Sequence, residues 1–102
     1  MFNIQSLLKE NLGKQIIRHF PGYEKFTGSN ISENFALELE PGVSQETIKN
    51  IIIDSCHRKE IPVEFFGADY YIKTTDGQNI NITALLISNP RELTLEVTSR
   101  IF

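Results

Sequence analysis

A chain of 102 residues with a net charge of −3 has room for a single globular domain, residues 1–102, and little to spare for a second. Its 40% hydrophobic and 10% aromatic content supports a core that needs neither metal nor disulfide. The ten Lys and Arg residues are scattered, which argues against a nucleic-acid binder with its basic stripe.

The start, MFNIQSLLKENLGKQ, is too polar for a signal peptide, and no apolar run approaches the roughly 18 residues of a membrane span. One cysteine excludes an internal disulfide and fits a reducing compartment. A cytoplasmic protein without membrane contact is therefore expected.

Residues 3–20 carry Ile4, Leu7, Leu8, Leu12, Ile16, Ile17 and Phe20 at spacings of three and four, which predicts one amphipathic helix. Asn3 caps its start and Pro21-Gly22 stops its end. Gly13 is its weak point, costing about 1 kcal/mol against Ala inside a helix. The alternative ends the helix there and makes KQIIRHF a strand; the continuous spacing favours one helix.

Residues 21–33, PGYEKFTGSNISE, read as a surface loop. Gly22 and Gly28-Ser29 lack the following Lys and the leading strand of a phosphate loop. NFALELE (34–40) alternates Phe35, Leu37 and Leu39 with polar residues, as a half-buried strand does. Ser44 then caps a second helix, QETIKNIIIDSCHRKE, with Ile48, Ile51, Ile52 and Cys56 as its buried stripe.

Strands follow at 63–66, 69–75, 78–87 and 92–100. A two-residue turn at Gly67-Ala68 pairs Val63 with Ile72 and Phe65 with Tyr70. A three-residue turn with Gly77 in the left-handed region pairs Ile72 with Ile80 and Tyr70 with Ile82. A loop at 88–91 pairs Leu86 with Leu93, Ala84 with Leu95 and Ile82 with Val97. The three turns converge on one apolar face.

The expected fold is therefore α+β, with two helices packed on one face of a mostly antiparallel sheet in the order α-β-α-β-β-β-β. The strand around Leu37 is expected at an edge, beside either strand 63–66 or the last strand.

Asp54-Ser55-Cys56-His57 collects reactive side chains, but successive helical residues point about 100° apart and cannot converge on one atom. Cys56 reads as a core residue. One Cys and two His fall short of a zinc set. The carboxylate pairs Glu38/Glu40 and Glu92/Glu96 read as solvated strand faces. No catalytic residue, metal site or cofactor is expected.

The outer sheet face is mostly polar but carries Phe66, Tyr71, Leu85 and Ile87, which a solvated face does not need. These four are the candidate interface residues. They suggest a small non-catalytic interaction module that binds a protein partner or itself, as a homodimer. The alternatives are a small-molecule binder or small enzyme with a pocket between helices and sheet near Tyr70 and Cys56, and base stacking on a single strand.

Overall fold

A computed structural model describes residues 2–28 and 30–102. Met1 and Ser29, the latter in the expected 21–33 loop, lie outside the described residues, as does the side chain of Thr27. The elements in chain order are α1 (Ile4–Leu12), a 3₁₀ turn (Gly13–Gln15), β1 (Ile16–Phe20), β2 (Glu24–Thr27), β3 (Asn30–Leu39), α2 (Gln45–Arg58), β4 (Val63–Phe66), β5 (Asp69–Lys73), β6 (Asn79–Ser88) and β7 (Leu93–Ile101). All pairings are antiparallel. The sheet order is β1-β3-β7-β6-β5-β4, with β2 also on β3. The class is α+β, two helices with an antiparallel sheet. No described helix is long and apolar enough to cross a membrane.

The first helix is shorter than its apolar spacing predicts. Asn3 caps α1 by accepting from the Ser6 amide at 3.0 Å, but the helix stops at Leu12. Gly13 takes φ 49° and ψ −115°, a conformation that side chains with a Cβ resist. Residues 16–20 then pair with β3. Gly13 weakens the helix, while β-branched Ile16 and Ile17 gain an open sheet edge.

Two further corrections concern β2 and β3. Glu24–Thr27 lies in the expected loop yet pairs with residues 30–33, with Gly28 at φ 63° in the reversal. Strand β3 takes the placement beside the last strand, but it is not an edge. It has β7 on one side and β1 and β2 on the other. Gly22 lets the chain pass from β1 to β2, since a Cβ there would lie 1.6 Å from the Asn34 carbonyl oxygen.

The β4–β5 and β5–β6 registers are those the turn chemistry predicts, Val63 to Ile72 and Ile72 to Ile80 included. Gly77 has φ 88°. The β6–β7 register is shifted by two residues, so Leu86 faces Leu95 and Ala84 faces Val97. The Asn89 side chain causes this by accepting from the Arg91 and Glu92 amides at 3.1 and 3.0 Å, which closes the loop one residue later. A two-residue shift keeps every side chain on its face.

The inner face is the core. Phe35, Leu37, Tyr70, Ile72, Ile82 and Leu95 pack with Leu8 of α1 and Ile48, Ile52 and Cys56 of α2. Gln45 anchors the start of α2. Its amide nitrogen donates to the Ala84 carbonyl at 2.8 Å and its oxygen accepts from the Leu86 amide at 3.0 Å. These are β6 backbone groups beyond the last β5 pairing at Asp69 and Thr83. Phe65, expected inside, is instead about half exposed on β4 at the sheet edge, with Lys49 Nζ 5.3 Å from its ring centroid.

Candidate interaction surface

Helix α2 disperses the reactive residues of the 54–60 stretch. Cys56 is fully buried, and desolvation, partly offset by Lys59, pushes its thiol up to about 11. Almost none of it is the thiolate nucleophile near neutral pH. Ser55 turns to Arg58, whose Nη2 donates to its Oγ at 3.2 Å. Asp54 and His57 face outward. The other histidine, His19, lies on β1 edge-on to Phe35, with ring centroids 6.1 Å apart.

The carboxylate pairs are dispersed as well. Glu38 is 3.7 Å from the Arg18 guanidinium, and Glu40, Glu92 and Glu96 are exposed. Among the described residues no three His, Cys, Asp or Glu side chains are grouped to hold a metal. Tyr70 and Cys56, around which a pocket is expected, are both fully buried. The Tyr70 hydroxyl has no hydrogen-bond partner among the described residues, and burial, then Glu46, raises its pKa.

A groove of about 630 Å³ lies elsewhere, lined by His57, Ile61, Val63, Tyr71, Asn81 and Phe102 among others. Neither Tyr70 nor Cys56 contributes to it.

The outer face is laid out by the ladders. One row runs Glu64, Tyr71, Asn81, Arg100, Ser32, Lys25 across the sheet. The next runs Phe66, Asp69, Thr83, Thr98, Asn34. Then come Leu85, Glu96, Ala36, Phe20, and finally Ile87, Thr94, Glu38, Arg18. Both helices pack on the opposite face. Phe66, Tyr71, Leu85 and Ile87 remain 71%, 49%, 46% and 38% exposed.

These four side chains form two groups. Phe66 and Tyr71 meet edge-on, with centroids 6.5 Å apart. Leu85 and Ile87 share the outer side of β6. Between the groups stand Asp69 and Thr83, joined by a 2.6 Å hydrogen bond from hydroxyl to carboxylate.

Phe20 also belongs to this face, 39% exposed with the Arg18 guanidinium 5.6 Å from its ring centroid. A helix over residues 14–20 hides it, and the strand alternative at Gly13 is the sequence signal that points to it. Compared with protein-family models, curated proteins and solved structures, the chain shows no match.

Proposed function

We propose that the chain is a non-catalytic protein-interaction module that self-associates through the outer face of its sheet. The observation that carries this reading is the one-sided sheet. Two helices cover one face, while the other leaves Phe20, Phe66, Tyr71, Leu85 and Ile87 in solvent. Single exposed apolar residues are ordinary, but contiguous ones, such as Phe66 with Tyr71 and Leu85 with Ile87, often mark a contact site.

Area and charge favour a second copy as the occupant. Five strands at about 4.8 Å and four rows at about 6.8 Å give a flat footprint of about 24 by 27 Å, or roughly 650 Å². Side-chain relief brings that near the roughly 800 Å² per partner of a standard interface. The face is charge-balanced: Arg18, Lys25, Lys73 and Arg100 share it with Glu38, Glu64, Asp69 and Glu96. A single-stranded nucleic acid would meet four carboxylates there, whereas a copy of the same face presents both signs.

The core is complete without a partner, so the dimer is reversible rather than obligate. A cytoplasmic location fits the lone buried thiol. Light scattering on Leu85→Lys and Ile87→Lys tests the reading. Both variants should stay folded by circular dichroism and run as monomers at concentrations where the unmodified chain is a dimer. An unmodified chain that is monomeric at millimolar concentration, or variants that still dimerise, would overturn it.

A further inference from the structure

We infer that the two copies meet about a twofold axis that crosses β7 at Thr98, perpendicular to the strands, so that Glu96 of each copy pairs with Arg100 of the other. This inference rests on the self-association reading and specifies how the partner copy is oriented.

In an isologous pair every contact is reciprocal, so the face must complement itself under the twofold rotation. For two sheets packed face to face, the axis lies between them, either along the strands or across them. An axis along β7 places Glu96 on Glu96 and Arg100 on Arg100, which repel. An axis along the β6–β7 seam presses Leu85 onto Glu96, since those two are ladder partners.

An axis across the strands at Thr98 exchanges the row of Leu85, Glu96, Ala36 and Phe20 with the row of Tyr71, Asn81, Arg100 and Lys25. Glu96 and Arg100 each sit two residues from Thr98, about 6.8 Å along the strand. Two opposite-charge pairs therefore form, about 14 Å apart, across sheets separated by about 10 Å.

The same exchange sets Leu85 against the partner's Asn81, both on β6 one strand from Thr98. Uncharged Thr98, with Thr83 and Asn34 beside it, falls on the axis. Asp69 shares that row but is bound to Thr83 Oγ1 at 2.6 Å. It also lies two strands, about 10 Å, from Thr98, where the roughly 30° crossing of packed sheets carries the two copies apart.

Both charged residues are available. Glu96 and Arg100 are exposed, and neither is in an ion pair among the described residues. Arg100 makes one long hydrogen bond, Nη1 to Asn81 Oδ1 at 3.4 Å. Across the ladders Glu96 faces Leu85 and Ala36, which carry no charge.

Charge reversal tests the pairing, read by sedimentation velocity. Glu96→Arg and Arg100→Glu, each alone, put like charges together and should weaken self-association at least tenfold. An equimolar mixture of the two variants should form a heterodimer within a few-fold of the unmodified affinity. The double variant E96R/R100E should regain the homodimer, which also shows that the single changes left the fold intact.

Single variants that dimerise normally, or a mixture and double variant that both stay monomeric, would overturn the pairing. A dimer abolished by Leu85→Lys but indifferent to charge reversal overturns the pairing and leaves the outer-face reading standing. A monomeric unmodified chain overturns both.

Discussion

Leu85 stands directly opposite Glu96 across the β6–β7 ladder, on the face of the sheet turned away from both helices. An apolar and an acidic side chain at the centre of an open face contribute little to the fold of one copy. In the self-association reading proposed above, their value lies in what docks on them. The folded chain is otherwise self-sufficient, so groups that hold the fold can be told apart from those proposed to serve contact.

Gln45 belongs to the fold. Its carboxamide satisfies the Ala84 carbonyl and the Leu86 amide, groups that would otherwise lack a partner under α2. Gln45→Ala should cost about 1–3 kcal/mol, because part-buried backbone groups are left unsatisfied. Urea denaturation measures this; a loss within about 0.5 kcal/mol, the ordinary range for surface changes, would mean that water replaces the clamp without cost.

Gly22 is required by space rather than by backbone angle. A Cβ at this position would collide with the Asn34 carbonyl oxygen at 1.6 Å, where Asn34 and Tyr23 hold the start of β2 by backbone and side-chain hydrogen bonds. Gly22→Ala should displace β2 and lower stability by about 2 kcal/mol or more, within the range of severe single changes. Thermal unfolding that matches the unmodified chain would contradict the close approach.

The turn glycines, Asn89 and residues 16–20 show how much of the fold is legible in the sequence. The β4–β5–β6 hairpins could be read in register because Gly67 and Gly77 restrict their turns to a few geometries. The β6–β7 register differs from the expected one by two residues because Asn89 closes the loop one residue later through its own side chain, a choice no apolar pattern reveals. Since the slip is even, Leu85 and Ile87 still fall on the outer face. Residues 16–20 fit helical spacing, but Gly13 ends the helix and the free edge of β3 takes them as a strand. Strand β2 offers no alternation to find, because the charged Glu24 shares a face with its one apolar residue, Phe26. Phe20 therefore joined the outer face only once the topology was known.

Cys56 should behave as core. With no exposed surface and a thiol near 11, labelling by a thiol reagent at neutral pH should proceed only as fast as the chain opens. The rate should rise with urea in step with unfolding. Rapid labelling of the native protein would restore a reactive-cysteine reading.

Glu33 should make stability depend on pH. Burial, then the Glu24 carboxylate across the β2–β3 ladder, raises its pKa above 4.5. The folded state thus favours the protonated acid. Stability is fully present below the unfolded value and is lost as pH rises through the folded one. Glu33→Gln should therefore stabilise the chain at pH 7, with the gain shrinking as pH falls toward 4. Denaturation at several pH values would show this; a variant less stable at pH 7 than at pH 4, relative to the unmodified chain, would contradict the sign.

The most direct test of self-association through the open sheet face is the mass of the unmodified chain in solution across a dilution series, measured beside Leu85→Lys. The account predicts twice the 11.7 kDa chain mass at high concentration, falling to the single-chain mass on dilution, with the variant at single-chain mass throughout. A single-chain mass for the unmodified protein at every concentration, or a dimer that Leu85→Lys leaves intact, would contradict it.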